Sequence, residues 1–159
     1  MAAQLTYSRD HAKAYPGMIV DLGDKDIISK SIESVAGADF GIAVSRGTDK
    51  DNQAIIGGAD FLGFTVRELS REGAANSGSI KYDEKSTAAI MRKGNIYMVC
   101  PSGCNPGDPV NYVIATGVVD SGVAVAGEIN VLGAEWDTVA AAGELAVIRI
   151  ETAINTSAG

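Results

Sequence analysis

The sequence predicts an all-β fold, a β-sandwich or jelly-roll-like barrel with an extended N-terminal arm. Three observations carry that expectation. Short apolar runs recur with apolar–polar alternation, the period-2 signature of strands with one buried face. The segments between them are rich in Gly, Asn, Asp, Ser and Pro, and 19 glycines in 159 residues exceed the usual ~7%, which calls for many tight turns. No stretch sustains the 3.6-residue period of an amphipathic helix.

The expected strands, in order, are 26–32 (DIISKSI), 40–46 (FGIAVSR), 61–69 (FLGFTVREL), 88–94 (AAIMRKG), 95–100 (NIYMVC), 108–115 (DPVNYVIA), 128–133 (EINVLG) and 144–151 (ELAVIRIE). Alternation places Phe64 and Val66 on one face with Thr65 and Arg67 between them, and it sets Ala146, Ile148 and Ile150 opposite Val147 and Arg149. Gly94 reads as the turn of a hairpin between the fourth and fifth strands. Asp108 caps a turn, and Pro109 opens the strand that follows. Gly41 and Gly63, early in their strands, mark bulges or close backbone approach. Two short helical segments fit the pattern, 8–15 ahead of Pro16 and one turn over 136–143 ending at Gly143. Residues 1–25 are polar, short of apolar pattern and broken by Tyr15-Pro16-Gly17. They read as the arm, leaving 26–159 as a single β domain, a size at which a chain folds around one core without staples.

Composition narrows the function. With 46% hydrophobic and 21% charged residues, the chain is globular rather than disordered. A net charge of -7 with only 13 scattered Lys and Arg argues against nucleic acid as a partner, because neutralising phosphates takes clustered cations. No apolar run approaches the ~20 residues of a membrane-spanning helix, and the N-terminus lacks a signal-peptide core. The expected place of synthesis is a reducing bacterial cytoplasm.

Candidate chemistry is sparse. Cys100 and Cys104 are the two cysteines and His11 the single histidine, too few ligands for a structural zinc site. Their spacing is not the redox Cys-x-x-Cys, and Pro101 and Pro106-Gly107 make a loop where that motif needs a helix start. The stretch reads as a turn between strands, with Cys100 buried as a small hydrophobe. Asp49, Asp51, Gln53 and Asp60 echo a calcium loop, but Ala54 stands where such a loop needs glycine, so a solvated hairpin is the reading. No phosphate-binding glycine motif occurs. No catalytic, cofactor-binding or metal residues are assigned, and the composition is that of a structural or binding protein rather than an enzyme.

The ordered string of motifs goes further. YSRDHAKAYPGMIVD from residue 7 is followed by DFGIAVSRG, DFLGFTVRELSRE, YDEKSTAAIMRKGNIYMVC, GDPVNYV and GELAVIRIE, ending at 151. This series resembles the structural cement, or capsid decoration, proteins of tailed bacteriophages across nearly the whole chain. The resemblance implies a protein that binds the outer surface of a phage head and bridges neighbouring major capsid protein subunits. It also implies a homo-oligomer, with a trimer favoured and a dimer the alternative. Tyr7, Asp10, His11, Ala14, Tyr15, Gly17 and Met18 fall on the arm, where the family pattern implies contact with the capsid protein or a neighbouring subunit. Residues 116–132 depart from the pattern. The alternative is a tail or baseplate component of similar architecture.

Overall fold

The computed structural model describes residues 14–68 and 80–157, with side-chain environments through Glu151. Nine strands account for the regular structure: β1 (Asp26–Ile32), β2 (Ala43–Arg46), β3 (Gln53–Ile56), β4 (Phe61–Thr65), β5 (Thr87–Cys100), β6 (Pro109–Val113), β7 (Val119–Ser121), β8 (Glu128–Trp136) and β9 (Glu144–Ser157). No helix occurs among the described residues. The turn expected to be helical over 136–143 is extended instead, because Trp136 is the last residue of β8, and Ala140 forms an antiparallel bridge to Cys104. The segment expected to be helical over 8–15 falls outside the described residues as far as residue 13.

The strands run in the order β1-β3-β2-β4-β5-β9-β8-β6-β7, with β1 also paired to β5. That extra pairing closes β1, β3, β2, β4 and the first half of β5 into a five-stranded ring, which removes the unpaired edges an open sheet would leave. β1 and β3 run parallel, and the other pairs of the ring are antiparallel. The second half of β5 leaves the ring and pairs with β9, which continues through β8 and β6 to β7.

One strand thus serves both sheets, and this corrects the expected hairpin. Residues 88–100 do not reverse at Gly94. Lys93 still pairs with Asp26 of β1, whereas Gly94 pairs with Ile150 of β9. The positive φ of Gly94, 123°, lets the strand change sheets without breaking its ladder, a conformation that side-chain-bearing residues rarely adopt. Two further strands escape the sequence pattern. β3 is four residues long and β7 three, too short to show a period against the turn-rich sequence around them.

Two cores fill the molecule. Inside the ring lie Ile32, Val44, Ala54, Leu62, Ala88 and Ile90, with Phe40 packed edge-on against Tyr82. The larger core lies under the second sheet and gathers Met91, Ile96, Met98, Tyr112, Ile129, Val131, Trp136, Ile148 and Ile150 around Phe61 and Phe64. β4 stands between the two. Leu62 faces the ring while Phe61, Phe64 and Val66 face the other core, so every residue of β4 is buried. Thr65, expected to be exposed, is fully buried. Its hydroxyl donates to Asp39 O (2.7 Å) and accepts from Ile42 N (3.0 Å), which supplies partners for a polar group taken out of water.

Tyr82 is the polar pin of the ring. Its buried hydroxyl donates to Val66 O at 2.6 Å and accepts from Ala89 N at 3.3 Å, tying the end of β4 to β5. Tyr82→Phe leaves a buried carbonyl short of its donor and is expected to cost about 1–3 kcal/mol, read as a lower urea midpoint with an unchanged m-value.

Candidate contact surface

The sequence-predicted contact residues divide into three groups. Tyr7, Asp10 and His11 lie outside the described residues. Ala14 and Gly17 are buried, whereas Tyr15 and Met18 reach the surface, Tyr15 at 51% exposure. The stretch that carries them is pinned to the body. Gly17 N donates to Tyr97 O (2.7 Å), Tyr97 N to Met18 O (2.9 Å) and Val20 N to Asn95 O (3.1 Å), with Ile19 bridging Ile96. The chain thus adds a short antiparallel segment to the flank of β5 that β9 leaves open.

Gly17 makes the fit possible. Its φ is 81°, and a Cβ there would stand 2.9 Å from Gly41 N and 3.0 Å from Arg67 N and Thr65 O. Arg67 N in turn donates to Gly17 O (2.7 Å). Any side chain at 17 would both strain its own backbone and push against the Gly41 turn and the end of β4. The arm motif therefore keeps glycine for a packing reason visible only in three dimensions.

Beside this stretch lies an apolar groove of about 190 Å³, lined by Pro16, Phe40, Gly41, Ile42, Val99, Pro101, Val118 and Val119. At its rim the Arg67 guanidinium sits 4.7 Å from the centre of the Tyr15 ring and 5.3 Å from that of Phe40, a cation–π arrangement that orders both rings. Val118 is 42% exposed, and the connection that follows β7 presents Val123 and Val125 to solvent. The stretch 116–132, which departs from the sequence pattern, thus supplies a wall of the groove and several exposed apolar side chains. Its signal in the sequence is the valine density of an otherwise turn-like segment.

A carboxylate fixes the groove's shape. Asp120 of β7 accepts from Ser102 Oγ (2.7 Å), Ser102 N (3.1 Å) and Ser121 N (2.8 Å), and Trp136 Nε1 donates to its backbone oxygen (3.3 Å). The Pro101 wall is thereby clamped to the Val119 wall. Burial pushes the Asp120 carboxyl up, but hydrogen bonds from the Ser102 hydroxyl and the Ser121 and Ser102 amides outweigh it and leave it below the usual range. Asp108 caps the neighbouring turn as expected, accepting from Asn105 N at 2.8 Å, and Pro109 opens β6.

Cys100 and Cys104 are free thiols buried in the larger core, as a turn lined by small hydrophobes requires. Burial raises both, and the neighbouring Cys100 adds to the effect at Cys104, which is pushed up to about 12. The loop with the calcium-like pattern is the β2–β3 hairpin, where Asp49 accepts from Asp51 N and Asn52 Nδ2. Among the described residues no group of three or more His, Cys, Asp or Glu is placed to hold a metal ion.

The described body is thus all-β, with an N-terminal stretch pinned to β5 and an apolar groove beside it. The sequence matches the family of the structural cement protein (E217 gp24/Pam3 gp6) over residues 3–151, and the chain belongs to that family of phage structural proteins. Its fold is similar to that of a chain from the capsid of Myoviridae phage XM1, with a TM-score of 0.71 and 14% sequence identity, covering 95% of this chain and 98% of that one. Among curated proteins no significant match is found.

Two outcomes test the geometry. Gly17→Ala is expected to lower stability by about 2–4 kcal/mol through combined backbone strain and contact with three backbone atoms, measured by urea unfolding. Asp120→Asn probes the clamp. A carboxyl held below its unfolded value stabilises the fold fully above about pH 4 and loses that contribution as pH falls through the lower, folded value. Asp120→Asn should therefore be less stable than the parent protein at pH 7, by about 1–2 kcal/mol. The gap should narrow below about pH 4, as thermal unfolding followed at a series of pH values would show.

Proposed function

We propose that this capsid-associated structural protein decorates the outer surface of the phage head and bridges neighbouring subunits of the major capsid protein. The observation that carries the reading is the clamped apolar groove beside the pinned stretch 14–20. A preformed cleft with rigid walls binds an apolar anchor without ordering costs of its own. The chain reaches the described body at Ala14, next to a groove wall. Tyr7, Asp10 and His11 precede this point in the sequence and are the candidates to extend the contact onto a capsid or sister subunit.

The work is done by binding, without turnover. A contact of about 1,600 Å² gives stable attachment, and an oligomer engaging several sites at once gains by avidity. A closed trimer on local three-fold positions suits that geometry, with a dimer across two-folds as the other closed solution. The acidic surface faces outward or meets basic patches of the capsid protein, away from packaged DNA and membranes. Synthesis takes place in the host cytoplasm, and the finished site of action is the outer face of the virion.

Co-sedimentation with expanded, undecorated capsids tests this reading. Full-length protein should saturate the shell at a fixed ratio. Removing residues 1–13, or replacing Val118 with Asp at the groove rim, should weaken binding at least about tenfold, since a carboxylate in a desolvated apolar contact costs more than 1.4 kcal/mol. Val118 is part-exposed, so its replacement should leave the melting temperature within a few degrees of the parent. Binding that is indifferent to both changes would move the contact elsewhere on the surface, and failure of the full-length protein to bind would remove the decoration reading itself.

A further inference from the structure

The thiols do not themselves line the groove, although Cys100 lies between its Val99 and Pro101 walls, and the fold holds the pair at several points. Cys100 ends β5 and Cys104 lies across a tight turn, with Gly103 N donating to Cys100 O at 3.3 Å. Both residues are also tied to the same short segment of the β8–β9 connection. Gly143 N donates to Cys100 O (2.8 Å), and Cys104 exchanges two backbone hydrogen bonds with Ala140 (3.0 and 3.1 Å). The two residues are 0% and 4% exposed and belong to the same core, near enough for each to shift the other's ionisation. Each thiol has an acceptor, Asp120 Oδ1 at 3.6 Å for Cys100 and Thr138 O at 3.3 Å for Cys104.

We propose that Cys100 and Cys104 form a preorganised disulfide site, open as two thiols in a reducing compartment and closed by exchange with a small-molecule disulfide. In the exchange one protein thiolate attacks the oxidant and releases one small thiol. The second protein thiolate then displaces the other. The protein loses two thiol hydrogens and gains one S–S bond, while the oxidant is reduced to two thiols that carry the protons away. The backbone bonds to 140–143 keep the two sulfurs paired, so the second step is intramolecular and outruns capture by a second oxidant molecule. Burial and the Asp120 carboxylate both disfavour the thiolate, so the native pair is slow to react and exchange proceeds through opening of the 101–104 turn. The chemistry does not depend on the capsid reading. If that reading holds, the change of compartment is the release of particles from a reducing cytoplasm into an oxidising medium.

The test uses purified full-length protein incubated with oxidised glutathione in buffer and in about 1–2 M urea, then alkylated under denaturing conditions and mapped by mass spectrometry. The expected product lacks both alkylatable thiols, carries no glutathione and contains a linked 100–104 peptide. Its formation speeds up in urea, and its melting temperature rises by about 5 °C, as expected for closure of a short loop, returning on reduction. Cys100→Ser and Cys104→Ser should each end with one glutathione adduct instead. The proposal is overturned if the parent protein accumulates two adducts or intermolecular dimers. It is equally overturned if both thiols stay free under conditions where the single variants are modified.

Discussion

Everything in this molecule hangs on one strand keeping its hydrogen-bond ladder while it passes from one sheet to another. β5 closes the ring by pairing with β1 and β4, then starts the second sheet by pairing with β9. The constraint is severe. At the crossing point the backbone has to turn out of one sheet while both of its neighbours change, and Gly94 supplies the dihedral for it. Because the strand is unbroken, the two cores cannot shift independently. Met91 belongs to the larger core and Ile90 to the ring, so adjacent residues of one strand point into different interiors.

The two sheets resolve their edges by different means. The ring closes through backbone pairing and leaves no edge there. The second sheet ends at β7, whose neighbour across the gap is the end of β5, and the link is made by side chains. The Asp120 carboxylate reaches Ser102, and Ser121 Oγ donates to Gly103 O at 2.5 Å. Side-chain closure leaves a gap between strand backbones, and in that gap the groove opens. The apolar lining persists because a polar clamp lies just beneath it, which removes the need for the walls to collapse onto each other.

Much of the architecture could be read from the residues. The span 26–32 was legible because alternation is strong where one face packs a core and the other meets water, whereas 108–115 was marked by its apolar residues between turn signals, since Val110, Asn111 and Tyr112 are all buried. β4 misled for the opposite reason. Both of its faces are covered, so Thr65 sits in the interior on the strength of two hydrogen bonds that no periodicity reveals. The continuous β5 was read as a hairpin because a glycine flanked by polar residues looks the same whether the chain reverses or changes partners. The groove was not legible. Phe40, Val99, Pro101 and Val118 come together from three distant segments and are ordinary apolar residues when taken one at a time.

The way the N-terminal stretch meets β5 has a mechanical consequence. Its three hydrogen bonds to Asn95 and Tyr97 lie across the strand direction, side by side along the chain. A pull that runs along β5 loads them together, and they give way only as a set. A pull directed away from the sheet opens them in turn, beginning at the end nearer the N-terminus. Tension carried in through Ala14 is therefore borne well in one direction and poorly in the perpendicular one. Along the favourable direction the load passes into the seven paired residues that β5 shares with β9, so the pinned stretch behaves as a directional anchor on a long ladder.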